Sequence, residues 1–256
     1  MSYTRRCQAL VIENSYLFRK PHRSHTATWP SRNYSFQSCR QSNQANPNSD
    51  DPAKDVYNNN TLCEAHRPRQ IVIGITGATG TIYAIRLLMV LRNLGIETHL
   101  VISKWALATM KYETSMTESD IHRLASRVYR AKDMTAPIAS GSFLHDGMII
   151  APCSMKTLAA IRSGFCDDLI SRAADVTLKE RRTLMLVVRE TPLSDIHLDN
   201  MLFLRRAGAV IFPPMPAFYT KPQNIDDVVD QNVGRMLDSF GLFTNGFKRW
   251  NGFEKD

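Results

Sequence analysis

One stretch constrains the fold more than any other: Ile71-Val-Ile-Gly-Ile-Thr-Gly-Ala-Thr-Gly-Thr-Ile-Tyr-Ala-Ile-Arg-Leu-Leu88. Ile71 to Ile73 and Ile75, with no polar residue among them, read as a strand buried on both faces. Gly74, Gly77 and Gly80 let the backbone turn sharply, with no Cβ in the way. Beyond Gly80, Ile82, Ile85, Leu88, Val90 and Leu91 recur at helical spacing. The unit is therefore strand, glycine turn, helix. A helix N-terminus meeting bare amides is a place for a phosphate, but turns of this kind recur in many α/β folds.

Charge distribution narrows the partners. The 256 residues carry a net charge of +8. Residues 1–49 hold Arg5, Arg6, Arg19, Lys20, Arg23, Arg32 and Arg40 against one acid, Glu13. The remainder is close to balanced and offers no polyanion stripe, so nucleic acid is not an expected partner. The basic leader, with hydroxyls interspersed and acids nearly absent, fits a mitochondrial transit peptide, so the expected localisation is the mitochondrion. Residues 1–68 thus read as leader and disordered linker, and 69–256 as the folded domain. No apolar run approaches the roughly 18 residues of a membrane helix. The five cysteines include no Cys-x-x-Cys pair, which argues against a zinc knuckle and a disulfide framework.

Across the folded part, strand and helix patterns alternate. Strands are expected at 71–75, 98–102, 148–151 (stopped by Pro152), 183–188 and 209–212. Helices are expected after Gly80, around 104–111, over 117–129 behind a Thr117-x-x-Asp120 capping pattern, at 154–161, from a cap at Asp167 to about Glu180, at 194–207 and at 224–240. Five strands alternating with helices predict a doubly wound, mainly parallel, Rossmann- or flavodoxin-like α/β sheet. Ligands of such sheets sit outside the strand carboxyl ends.

A nicotinamide-dependent dehydrogenase is the generic reading of this turn. It wants an acid about 20 residues past the glycines, where this chain has Val101-Ile-Ser-Lys104. The Tyr-x-x-x-Lys of short-chain dehydrogenases occurs only at Tyr16–Lys20, in the leader. A mononucleotide such as FMN remains open. Candidates at strand ends are Thr79, Ser103, Ser154 to Thr157, Arg189-Glu190 and the 213–222 loop with Tyr219. Ser154, Thr157 and Lys156 suit a phosphate, or are an ordinary N-cap. Arg189-Glu190 offers anion binding beside a proton donor, or is a structural ion pair. Arg172 and Lys179, seven apart, share a helix face, and with Tyr219 and Arg235 would form a cationic cluster for a second phosphate. Cys153 reads as packing.

Taken together, Gly74-Ile-Thr-Gly-Ala-Thr-Gly80, Ile102-Ser-Lys104, Tyr112-Glu-Thr114, Ala151-Pro-Cys-Ser-Met-Lys-Thr-Leu158, Ser171-Arg-Ala-Ala-Asp-Val-Thr-Leu-Lys-Glu-Arg-Arg182, Val188-Arg-Glu-Thr-Pro192, His197-Leu-Asp-Asn-Met201 and Pro216-Ala-Phe-Tyr219 resemble the flavin prenyltransferase family, the UbiX-like proteins. Its eukaryotic members were formerly called phenylacrylic acid decarboxylases. The resemblance covers about residues 70–240. It implies transfer of a dimethylallyl group from dimethylallyl phosphate to N5 and C6 of reduced FMN, with no metal. The product would be prenylated FMN for a ferulic-acid-type decarboxylase. It also implies FMN binding by Gly77, Ala78, Thr79, Ser103, Ser154, Met155, Lys156, Thr157 and Arg189. Substrate binding falls to Lys179, Arg189, Glu190, Tyr219, Arg235 and Arg172, and catalysis to Glu190, Glu113, Thr79 and Lys179. Thr79 stands where many members have Ser. Family members assemble as homo-oligomers, commonly dodecamers. The alternatives are direct decarboxylation of phenylacrylic acids, or a non-catalytic FMN carrier.

Overall fold

β1 (Gln70–Ile75) sends Ile71, Ile73 and Ile75 into one hydrophobic core and Val72 into another, and all four are buried. An uninterrupted apolar run is what a period-two element needs when both faces are covered. The computed structural model describes residues 67–252, so the expected leader and nearly all of the linker lie outside the described residues. β2 (Glu97–Ile102), β4 (Gly147–Cys153) and β5 (Thr183–Val188) split in the same way: Leu100, Ile149 and Met185 face one core, Val101, Ile150 and Leu186 the other. β3 (Arg127–Arg130) and the short β6 (Val210–Ile211) form the edges. The order is β3-β2-β1-β4-β5-β6, and every pairing is parallel.

Helices cover both faces, as parallel strands require. α1 (Thr81–Asn93), α2 (Lys104–Glu113) and α7 (Ile225–Asp238) contribute Leu87, Met110 and Val233 to the first core. The short α3 (Glu118–His122) adds Ile121 on that side. α4 (Met155–Ser163), α5 (Leu169–Lys179) and α6 (Asp195–Arg206) contribute Leu158, Ala173 and Leu204 to the second. Strand order reverses between β1 and β4, so a crevice opens there at the carboxyl edge.

Four expectations are corrected. The sheet has six strands, because β3 lies inside the segment expected as a 117–129 helix. The Thr117–Asp120 capping box is present but supports one turn of helix; the chain then pairs with β2, and the Tyr129 hydroxyl meets His99 Nδ1 at 2.9 Å. β4 does not stop at Pro152. Proline removes a donor but keeps its acceptor, and its carbonyl accepts the Thr76 amide at 3.2 Å, while the register shifts between Ile150 and Cys153. The cap of α5 is Asp168, not Asp167, which instead faces Lys156 at 3.5 Å.

At the amino edge, His145 is 3% exposed and its Nδ1 donates to the Gly147 carbonyl at 3.1 Å. Burial, with the Arg182 guanidinium adding to it, pushes the imidazole pKa down to about 4. A folded-state pKa below the ordinary value of about 6.5 means that the unfolded chain binds the proton more tightly in between. Stability is therefore full above about pH 6.5 and falls as pH drops toward about 4. Urea midpoints measured at pH 7 and pH 5 should separate less in His145→Gln than in the parent. Parallel pH profiles would remove His145 from the acid response.

Candidate active site

The carboxyl edge is tied together by Thr76, which is 2% exposed and directly follows β1. Its amide and hydroxyl both donate to the Pro152 carbonyl, at 3.2 and 2.7 Å. The same hydroxyl accepts the Ser154 amide at 2.8 Å. The Ser103 amide donates to the Ile75 carbonyl at 3.0 Å. The ends of β1, β2 and β4 are thus fixed relative to one another before any ligand is considered.

From this platform the glycine turn rises into α1. Gly80 is left-handed at φ 105°, which only glycine adopts without strain. At the N-terminus of α1, where a phosphate was expected, the first amides are bonded to a protein group. Glu113, the last residue of α2, accepts the Gly80 amide at 3.0 Å and the Thr81 amide at 2.8 Å. Partial burial pushes the Glu113 pKa up, but the Thr79 hydroxyl and the Thr81 and Gly80 amides outweigh it and hold the carboxyl below its ordinary value. A carboxylate at a helix N-terminus is the electrostatically favoured form.

Thr79 lines a cleft of about 520 Å³ with Val188, Arg189, Glu190, Thr191 and Leu193, closed by Pro213 to Met215. Arg189 and Glu190 follow β5 directly; the Arg189 amide reaches the Cys153 carbonyl at 3.4 Å, and the Glu190 carboxylate accepts the Thr191 amide at 3.1 Å. Arg189 Nε is buried without a partner and lies 3.5 Å from where a Gly80 Cβ would stand. An orphaned guanidinium donor against the glycine turn calls for an anion there. Arg189 and Glu190 do not pair with each other, so the ion-pair alternative is not what the structure contains.

Ser103 and Ser154 are the N-caps of α2 and α4, accepting the Ala106 amide at 3.1 Å and the Thr157 amide at 3.3 Å. Both helix starts lie on the Thr76 platform, with Met155 half-buried, Thr157 buried and Lys156 exposed beside Asp167. Gly77 packs directly on Trp105 of α2, which brings Ala78 and the turn close to the Ser103 helix start. Burial pushes the Cys153 thiol up to about 12, so it is no nucleophile. His197 is the third residue of the Ser194 capping box. Among the described residues, no group of three or more His, Cys, Asp or Glu is arranged to hold a metal.

The expected cationic cluster does not assemble within one chain. Arg172 and Lys179 do share a face of α5: Arg172 Nε donates to the Ala139 carbonyl at 3.1 Å, and Lys179 pairs with Glu180 beside Gly141. Arg172 also pairs with Asp175 at 3.0 Å. Arg235 is exposed on α7, which packs against the opposite face of the sheet. Lys179 lies four residues before β5, at its amino end, whereas Arg189 and Glu190 lie past its carboxyl end, roughly 20 Å away along the strand. Tyr219, in a single-turn 3-10 helix at Phe218–Thr220, meets Trp250 edge-on at 5.5 Å. Leu193 was not singled out by sequence, and Thr191 only as part of Val188-Arg-Glu-Thr-Pro192; the signal for Leu193 was lying just beyond the end of a strand.

Comparison with known proteins places this geometry. The model of the flavoprotein family matches residues 60–237. The mitochondrial flavin prenyltransferase PAD1 of Saccharomyces cerevisiae is 61% identical over 188 residues, covering 73% of this chain and 78% of the yeast protein. A crystal structure of AnUbiX (PadA1) in complex with FMN and dimethylallyl pyrophosphate is 64% identical with a TM-score of 0.73, covering 73% of this chain and 100% of that one. A dodecameric FMN-dependent UbiX-like decarboxylase from Escherichia coli O157:H7 is 52% identical with a TM-score of 0.70, covering 72% and 100%. The chain belongs to the flavoprotein family and, within it, to the flavin prenyltransferases.

Proposed function

We propose that this chain moves a dimethylallyl group from dimethylallyl phosphate to N5 and C6 of reduced FMN, releasing phosphate and giving prenylated FMN for a partner decarboxylase. The observation that carries the reading is the buried, unpartnered Arg189 Nε facing the glycine turn in the Thr79–Glu190 cleft. The related PadA1 structure holds FMN and dimethylallyl pyrophosphate together. FMN supplies the electron-rich ring atoms when bound.

The chain's own residues hold and orient. Ser103 and Ser154 to Thr157 present two capped helix starts on one rigid edge, suited to the flavin phosphate. Gly77, Ala78 and Thr79 form the turn the ring would lie against. Arg189 is placed to bind an anion in the cleft, where departing phosphate accumulates negative charge; a preorganised guanidinium stabilises that charge most in the transition state. Glu190, exposed at the cleft wall, is placed to hand protons to and from the reacting centre. Glu113 keeps the Thr79 turn in shape, with its carboxylate ionised.

Lys179, Tyr219, Arg235 and Arg172 complete the substrate site, in this reading, across contacts between copies in a homo-oligomer. The dodecameric relative supports assembly of this kind. The basic, hydroxyl-rich leader and the mitochondrial yeast relative support import into mitochondria. A ferulic-acid-type decarboxylase is the proposed user of the product.

Anaerobic incubation of the protein with reduced FMN and dimethylallyl phosphate should yield flavin plus one C5 unit by mass, with inorganic phosphate released in equal amount. A parallel incubation with a phenylacrylic acid tests direct decarboxylation; carbon dioxide release there without flavin modification would replace the reading. Glu190→Gln should retain FMN yet lose turnover by about 10²-fold or more, the usual scale for a general acid or base. Glu113→Gln keeps an acceptor for the Gly80 and Thr81 amides, whereas Glu113→Ala leaves them bare. Ala should therefore cost about 1 kcal/mol more in urea unfolding than Gln. Equal stability of the two would mean that the cap does not hold the turn.

A further inference from the structure

Gly234 lies inside α7 and is buried, where glycine is among the least favourable residues for a helix. A Cβ at this position would overlap the Cδ1–Cε1 edge of the Phe247 ring. The missing side chain is a seat for that ring. The segment after α7 folds back along the helix and is fastened a second time: the Arg249 guanidinium makes a bidentate pair with Asp238 at 2.7 and 2.8 Å. Arg249 also lies 4.4 Å from the centroid of the Phe247 ring and donates to the Thr244 carbonyl at 3.2 Å. Seat and clamp are therefore one unit. The next residue, Trp250, meets Tyr219 edge-on at 5.5 Å with an interplanar angle of 77°, an attractive arrangement for two rings.

On the other side, the loop bearing Tyr219 has few fastenings of its own. Asn232 Nδ2 donates to the Met215 carbonyl at 3.2 Å, and the turn itself is closed by the Thr220 and Lys221 amides on the Ala217 and Phe218 carbonyls at 3.1 and 3.0 Å. Tyr219 itself is 43% exposed.

We propose that residues 243–252 are a positioning strap: Phe247 seated on Gly234 and Arg249 clamped to Asp238 hold Trp250 against Tyr219 and so set the orientation of that tyrosine. The consequence for substrate rests on the reading of Tyr219 as a substrate-binding residue; the ordering of the Tyr219 turn does not. The strap makes Gly234, Phe247, Arg249 and Trp250 positioning residues, acting through Tyr219.

Hydrogen exchange of the peptide spanning 217–222, measured by mass spectrometry on the full chain, tests the proposal directly. Gly234→Ala should keep the fold, because alanine favours the helix, while forcing the Phe247 ring off its seat. It should nevertheless speed trypsin cleavage after Lys248 and Arg249 and accelerate exchange at 217–222 roughly fivefold, the factor expected for loss of one modest contact. Trp250→Ala, at an exposed position that does not endanger folding, should accelerate the same exchange, and Trp250→Phe should restore most of the protection. Phe247→Leu in the Gly234→Ala background should partly reseat the strap. Exchange at 217–222 that stays at the parental rate in both Gly234→Ala and Trp250→Ala overturns the proposal and leaves the strap as a packed surface segment. Kinetics supply the second readout: Gly234→Ala should raise KM for dimethylallyl phosphate with FMN affinity unchanged. If Tyr219→Ala itself leaves that KM unmoved, the substrate role of Tyr219 is lost while the exchange result still decides the strap.

Discussion

The carboxyl edge of this sheet is organised by a single buried hydroxyl. Thr76 uses donor and acceptor capacity at once, giving to the Pro152 carbonyl and taking the Ser154 amide. A buried hydroxyl with both roles filled is worth about 1 kcal/mol per bond, but its loss would strand the Ser154 amide at about 1–3 kcal/mol, while the Pro152 carbonyl would keep only the Thr76 amide. This asymmetry makes the junction rigid. β1 and β4 are neighbours at the point where strand order reverses, so the tie fixes the glycine turn relative to the α4 start. The cleft lies between elements that cannot move independently.

The same architecture limits what one chain can do alone. Winding helices on both faces puts α5 and α7 on opposite sides of a sheet that is itself a layer of buried side chains. Lys179 and Arg235 cannot converge across it, whatever rotamers they take. Lys179 and Arg235, on opposite flanks of their own chain, fit the proposed site between copies, since another copy can present its flank to this carboxyl edge without crossing any core. In the proposed site, sheet topology therefore weighs more than the spacing of charges along α5.

Sequence carried the two-sided sheet clearly, because uninterrupted apolar strands and glycine-ended helices leave few alternatives. β3 was hidden for a specific reason. Ile121, Leu124 and Val128 fall at positions that satisfy helical spacing, and a true capping box precedes them. Edge strands are short and half-exposed, so β3 (exposed Arg127, Val128 and Arg130) lacks the apolar signature of its neighbours. What separated the readings was tertiary: Tyr129 finds His99 on β2 only if the chain is extended. Of the candidate site, the strand-end positions of Thr79, Ser103, Ser154 and Arg189-Glu190 were legible because each follows a strand. The seat at Gly234 was not, since a glycine inside a helix shows its purpose only when the ring that fills the space is seen.

The glycine turn itself reads differently once Glu113 is in place. A helix N-terminus carries roughly half a unit of positive charge, enough to attract one anion well and a second poorly. Glu113 has taken that position on α1, with three contacts from the Gly80 and Thr81 amides. A phosphate placed on the same amides would meet a carboxylate at close range, a repulsion far larger than the dipole could offset. These two amides are therefore already satisfied, and free donors lie beside them. The α2 and α4 starts still direct amides outward behind Ser103 and Ser154, and Arg189 Nε remains a buried donor without an acceptor. Arg189 and Glu190 thus give one cleft a free cationic donor and a carboxylate side by side, next to the turn that Glu113 holds in shape.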